Sequence, residues 1–171
     1  MKVAVLMGSP SDQQKMAPAA ATLAEFGLEA DERVMSAHRT PDVVAAFAKR
    51  ARADGYAAVI CGAGMAAHLA GAVAAQTTLP VVGVPLSGSA LNGIDALYAT
   101  VQMPRGVPVA TVAVDGAANA AILVVQMLAI TDAGLASQLD DRRQATTTAT
   151  GGAGAPPGQG GGDGAPGKGT Q

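Results

Sequence analysis

The chain has one cysteine, no tryptophan, and only two tyrosines and two phenylalanines among its 171 residues. A single thiol, Cys61, makes no disulfide within the chain, and no stretch carries the spacing of a zinc-ligand cluster. A disulfide scaffold and a structural metal are therefore excluded, and a cytoplasmic setting is expected. Charge is also scarce, at 14% of residues against the roughly 25% of an ordinary soluble domain. Eleven Lys and Arg face 13 Asp and Glu, with no block of five or more like charges, which leaves no electrostatic footprint for nucleic acid or an anionic membrane. The partner expected is a small molecule or another protein. Apolar runs are short. The opening MKVAVLM reaches Gly8 and Pro10 too soon for a secretion signal. Residues 57–75 lack charge over nearly the ~20 residues a bilayer crossing needs, but they are mostly Ala and Gly, contain His68, and are expected to turn at Gly62-Ala63-Gly64.

What is abundant is alanine and glycine. Small side chains build a thin core, and an oligomer recovers the missing apolar burial between subunits, so a homo-oligomer is expected. β-branched runs alternate with helical patterns throughout, which predicts βαβ units, a parallel five-stranded sheet and an α/β fold. The strands expected are Val3 to Met7, Glu29 to Val34, Ala57 to Cys61, Val81 to Val84 and Val109 to Val114, the second polar enough to be an edge. The helices expected are Ser11 to Phe26, Pro41 to Asp54, Ala66 to Gln76, Ile94 to Val101, Ala117 to Ile130 and Asp132 to Arg143. Thr40 is the expected cap of the second, with Pro41 in its first turn and Val43, Val44, Phe47 and Ala51 on its inner face. Pro18 is expected to kink the first helix or to delay its start. The folded unit is expected over residues 1–144. A disordered Gly/Pro/Thr-rich tail is expected over 145–171, a stretch with ten of the 22 glycines and no large apolar residue.

A parallel sheet binds ligands at the carboxyl ends of its strands, and the chemistry-bearing residues follow those ends. Ser9, Ser11 and Asp12 follow the first strand, Ser36, His38 and Arg39 the second, Gly62, Ala63, Gly64, Ala66, His68 and Leu69 the third, and Ser87-Gly88-Ser89 the fourth. Ser9 and Ser11 suit either a helix cap or a phosphate held on orphan amides at a helix start. No GxxxxGK[ST] loop is present, so nucleoside triphosphate binding is not supported. His38-Arg39 joins an imidazole able to carry a proton near neutral pH to a fixed cation able to clamp an anion. Both histidines of the chain fall in these loops. The Gly62-Ala63-Gly64 segment reads either as a nest of amides for an anion or as a plain tight turn. His68 is expected one turn inside the third helix, as a half-buried or a catalytic residue, and Cys61 as an inert strand residue.

MGSPSD, SAHRTP, GAGMAAHLAG, GVPLSGSALNGIDALYATVQMPRGVPVATVAV and GAANAAIL, in this order and spacing, together resemble the 5-(carboxyamino)imidazole ribonucleotide mutase family of purine biosynthesis. The resemblance covers about residues 3 to 143, and SAHRTP with VQMPRGVPV is its most specific part. It implies a three-layer flavodoxin-like fold, a homo-octamer with sites at subunit junctions, and no metal, nucleotide or organic cofactor. The implied reaction moves a carboxylate from the exocyclic nitrogen of an aminoimidazole ribonucleotide to ring carbon 4. On the matching positions, Ser9, Ser11 and Asp12 would meet the ribose phosphate and ribose, with Ser36 and Arg39 completing the anion site. His38 would carry the proton, and Gly62, Ala63, Gly64, Ala66, His68 and Leu69 would line the carboxylate end. Where the family usually reads GAGGAAHLPGM, this chain has Met65 for glycine, Ala70 for proline and Ala72 for methionine. A sister class that carboxylates with free CO2 usually lacks the loop histidine, so His68 favours the mutase. A flavodoxin-like flavin or partner-binding module is the remaining alternative, disfavoured because almost no aromatic ring is available to stack on a flavin.

Overall fold

The computed structural model of the chain describes residues 1–149, and of the tail expected over 145–171 the part from 150 to 171 lies outside the described residues. Five parallel strands, β1 (Lys2–Met7), β2 (Glu29–Val34), β3 (Tyr56–Gly64), β4 (Val81–Leu86) and β5 (Ala110–Thr111), form one sheet in the order β2-β1-β3-β4-β5. Connecting them are helices α1 (Gln13–Glu25), α2 (Pro41–Arg50), α3 (Leu69–Ala74), α4 (Ile94–Val101) and α5 (Ala117–Ala129), followed by α6 (Ala133–Ala149). This is the flavodoxin-like α/β order, which reverses direction between β1 and β3 and opens a crevice there at the strands' carboxyl ends.

The inner strands are apolar on both faces because helices cover both. On β1, Val3, Val5 and Met7 pack with Met16 and Leu23 of α1 and Val124 and Val125 of α5. Ala4 and Leu6 point the other way, into Val44 and Ala48 of α2 and Leu69 and Val73 of α3. Each of the larger side chains sealed in this way contributes about 1.5–3 kcal/mol of burial. β2 is the polar edge expected. Its Arg33 donates to Asp31 at 2.9 Å, and Asp31 also accepts from the Tyr56 hydroxyl, so charged and hydrogen-bonded side chains occupy the margin of the sheet.

Several boundaries differ from expectation. β3 runs on through Gly62, Ala63 and Gly64, which pair with Val84, Pro85 and Leu86 of β4 rather than forming a turn. The third helix accordingly starts at Leu69, with His68 at its N-cap. Thr40 does not cap α2 with its side chain, and Val43 is exposed while Val44, Ala48 and Ala51 face the core. α1 runs through Pro18, which lies on its exposed side, after a 3-10 turn at Pro10–Asp12. The fifth strand is reduced to two residues because only Val82 and Gly83 offer paired partners. α6 passes residue 144 and takes in the first residues of the expected tail. An existing helix adds a residue without a new nucleation cost, and the Thr146 and Thr147 hydroxyls donate to the Arg142 and Arg143 carbonyls. No described helix is long and apolar enough to cross a membrane.

Candidate active site

The loops after β1, β2, β3 and β4 enclose a cleft of about 580 Å³ at the carboxyl edge of the sheet. Ser9, Ser11, Asp12, Ser36, His38, Arg39, Ala63, Gly64, Ala66, His68 and Leu69 all line it. Gly62, the remaining candidate, does not. It is buried in β3, its carbonyl accepts from the Gly8 amide at 3.1 Å, and its α-carbon lies against Met16 so closely that a Cβ would fall 2.3 Å from the sulfur. Glycine is needed there for packing beneath the cleft, and the strand pairing leaves no amide nest over Gly62 to Gly64.

The first wall follows β1. Ser9, in extended backbone, accepts with its Oγ from the Ser11 amide at 3.3 Å and from the Ser11 hydroxyl at 2.9 Å, capping the 3-10 turn. The Ser9 hydroxyl thus accepts from two local donors and the Ser11 hydroxyl donates to it, while both remain on the cleft surface. Asp12 beside them is half-buried. Desolvation raises its carboxyl above the ordinary value, opposed less strongly by hydrogen bonds and by the Lys15 and Arg39 charges.

The second wall is the SAHRTP loop, which folds back on itself. Thr40 Oγ1 accepts from the Ser36 amide at 2.9 Å and donates to the Ser36 carbonyl at 3.1 Å, while Ser36 Oγ accepts from the Arg39 amide at 3.2 Å. These bonds turn His38 and Arg39 out of the loop together, and both are exposed. Arg39 Nη2 donates to the Gly8 carbonyl at 2.8 Å, which ties this wall to the first. A guanidinium has five donors, so the bond to Gly8 leaves most of its anion-binding capacity.

The third wall carries the second imidazole. After β3 the chain turns at Met65, which has φ +52°, and tight bonds from Ala67 to Met65 and from His68 to Ala66 complete the turn. The left-handed conformation falls at the position where the resembling family usually has glycine. In this chain Met65 bears it, at a cost of roughly 1–2 kcal/mol, with its side chain exposed at the cleft. The turn brings His68 Nδ1 to 2.7 Å from His38 Nε2, with the rings nearly perpendicular at 77°. At that distance one ring donates an N–H to the bare nitrogen of the other, so the two histidines share a proton-bearing contact across the cleft.

The fourth wall is the Ser87-Gly88-Ser89 segment expected after the fourth strand, and it is joined to two residues that the strand ends do not point to, Lys15 and Asp115. Lys15, one turn into the structure that follows β1, reaches across to Ser87, and Ser87 is bonded in turn to Asp115 in the loop after β5. Separations of 72 and 28 residues give no motif spacing from which to find them. The cleft therefore offers hydroxyls and a guanidinium for an anion, a proton-carrying imidazole pair, and a glycine-containing wall close to both.

A family model described as AIR carboxylase matches residues 2–149. An N5-carboxyaminoimidazole ribonucleotide mutase of Brucella melitensis is 52% identical over 147 residues, covering 85% of this chain and 91% of its own. A phosphoribosylaminoimidazole carboxylase of Saccharomyces cerevisiae is 49% identical over 138 residues, 81% of this chain but 24% of that larger protein. Among solved structures, Treponema denticola PurE superposes with a TM-score of 0.80 at 28% identity, covering 87% of this chain and 93% of that one.

Proposed function

The chain belongs to the AIR carboxylase family, and on that premise we propose that it is an isomerase of purine biosynthesis, converting 5-(carboxyamino)imidazole ribonucleotide to 5-amino-4-carboxyimidazole ribonucleotide. Relatives about half identical over most of both chains are mutases by name. The observation that carries the reading at the level of chemistry is the His38–His68 contact beside Arg39 and the Ser9–Ser11 hydroxyls in one cleft.

The reaction needs an anion site, a proton carrier and a way to keep CO2 from escaping. Arg39 and the hydroxyls of Ser9, Ser11 and Ser36 hold the phosphate, and Asp12 meets the ribose. Cleavage of the N–CO2 bond leaves electrons on the exocyclic nitrogen, and protonated His38 supplies the proton that nitrogen takes. Ring carbon 4 then attacks CO2, becomes tetrahedral, and returns a proton to neutral His38 as the ring recovers aromaticity. The proton account closes with no other reagent, as suits a rearrangement by a general acid and base. Ala63, Gly64, Ala66 and Leu69 confine the CO2 beside carbon 4, which makes recapture an intramolecular step, and His68 holds the ring of His38 in register.

The same reading includes a cytoplasmic homo-oligomer, with an octamer expected from the family resemblance. Support for an oligomer comes from α4, where Leu91 just before it and Ile94, Tyr98 and Val101 along it are exposed at 62%, 50%, 62% and 45% on helical spacing. A stripe of that kind is a subunit contact by its chemistry, and a second copy of the chain is its natural cover. The alternative, carboxylation with free CO2, is not favoured. Supplying purified protein with carboxyaminoimidazole ribonucleotide, and separately with aminoimidazole ribonucleotide plus bicarbonate, tests the choice. Efficient turnover is expected only in the first case, and preference for the second would overturn the proposal.

A further inference from the structure

Beside the groups that meet the substrate, a chain of contacts joins Lys15, Ser87 and Asp115. Lys15 Nζ donates to the Ser87 carbonyl at 2.7 Å and also to the Ser87 hydroxyl. The Ser87 amide donates to Asp115 Oδ1 at 2.9 Å, and its hydroxyl donates to Asp115 Oδ2. Lys15 and Asp115 themselves lie 3.6 Å apart. Every polar group of Ser87 is thereby engaged by one of two charged side chains, from elements on either side of it. Backbone packing closes the same point from below. Gly93, at the start of α4, leaves so little space that a Cβ would fall 2.6 Å from Val114 and 3.3 Å from the Ser87 α-carbon.

Two cations line the cleft, and their surroundings differ. Arg39 makes one backbone bond and, among the described residues, no ion pair, although its charge acts on the nearby Asp12 carboxyl. Lys15 spends two of its three donors on Ser87 and has the Asp115 carboxylate beside it. An ammonium so committed is a poor anion ligand and a good tether. The bonds it joins are of the charge-assisted kind, stronger than neutral ones.

From this geometry we propose that Lys15 and Asp115 are positioning residues that clamp Ser87 and so hold the Ser87-Gly88-Ser89 segment in place as the fourth wall of the substrate cleft. The inference rests on the mutase reading for its substrate, and it deepens that reading by separating the cation that binds substrate, Arg39, from the cation that shapes the site. In keeping with it, burial tends to raise the Asp115 carboxyl, but bonds from the Ser87 hydroxyl and amide, together with Lys15, outweigh this and hold it below the ordinary value.

The test compares the whole protein with Lys15→Met, Lys15→Arg and Asp115→Asn. Methionine removes the donors but keeps a long stem. Asparagine keeps a short polar side chain that tolerates the φ of +56° at this position but loses the charge. Amide hydrogen exchange over residues 85–92 and steady-state kinetics with carboxyaminoimidazole ribonucleotide are read together. A charged hydrogen bond exchanged for a neutral one or none leads us to expect exchange about tenfold faster in Lys15→Met and Asp115→Asn. KM should rise about tenfold in both, with kcat changed by less than about threefold, and Lys15→Arg should recover most of KM. If Lys15 binds substrate directly, Asp115→Asn frees its charge and lowers KM, which overturns the clamp. Faster exchange or a lower melting temperature with KM unchanged in both variants would also overturn it, since the segment would then position nothing. Wild-type protein that does not turn the substrate over contradicts the mutase reading, whereas the exchange measurement still decides whether the clamp exists.

Discussion

Replacing Gly62 by alanine separates a residue that touches substrate from one that packs beneath the site. A Cβ at this position would lie 2.3 Å from Met16 Sδ, 2.8 Å from its Cγ and 3.0 Å from its Cε. Ordinary contact between such atoms begins near 3.5 Å, so the methionine must withdraw by about 1 Å. Met16 is fully buried among the side chains of β1, α1 and α5 and has no solvent to move into. Overpacking of this kind costs about 1–3 kcal/mol, which for a domain of this size lowers Tm by roughly 2–12 °C. Met16→Ala alone costs about 2–5 kcal/mol through the cavity it leaves. The double variant, in which the new methyl group enters that cavity, should cost less than the sum of the two, a coupling that only direct contact produces. Thermal unfolding at one fixed protein concentration, which matters for an oligomer, checks the stability. KM for carboxyaminoimidazole ribonucleotide should stay within about threefold wherever the protein remains folded. An unchanged Tm with a KM raised tenfold would show that Gly62 meets the substrate and that the packing argument is wrong.

Three further outcomes are expected. His38→Asn keeps the shape and a hydrogen bond but carries no proton at neutral pH, so turnover should disappear while substrate still binds in calorimetry, and turnover within tenfold of wild type would refute the assignment. Arg39→Ala should act mainly on binding, weakening Kd by about 10- to 150-fold for the loss of a charge-assisted contact worth about 1.5–3 kcal/mol, and an unchanged Kd would put the phosphate elsewhere. For Asp12, burial raises the folded-state pKa, so the native state holds the proton more tightly and the stability that this gives is lost as pH rises from about 3.9 through the folded value. Asp12→Asn should therefore melt higher than wild type at pH 7 and no higher near pH 3 by calorimetry, and a lower Tm at pH 7 would contradict this.

The sheet was legible because apolar runs of five or six residues report strands covered on both faces, and the polar composition of Glu29 to Val34 reports an edge. The Gly62-Ala63-Gly64 segment differs from the expected turn for a definite reason. Glycine often breaks an element, but within a parallel ladder these residues remain paired, and Gly62 admits Met16 from below. The real turn falls at Met65, a residue type that gives no sign of a positive φ. Thr40 has the composition of a cap but turns its hydroxyl back to Ser36, because the loop before α2 had unmet donors and acceptors of its own. Most of the cleft was legible because the position of a βα loop follows from topology. The exceptions are Lys15 and Asp115, whose convergence on Ser87 depends on how α1 and the loop after β5 pack together.

The central claim is that the carboxylate that leaves nitrogen is the one that arrives at carbon 4. Carboxyaminoimidazole ribonucleotide carrying an isotopic label in its carboxylate, turned over once in excess unlabelled bicarbonate, tests this directly by mass spectrometry of the product. Caging makes recapture intramolecular and faster than escape, so the label should be largely retained, with little free aminoimidazole ribonucleotide released. Full equilibration of the product carboxylate with bicarbonate within that single turnover would contradict the account and assign the chain to carboxylation from solution.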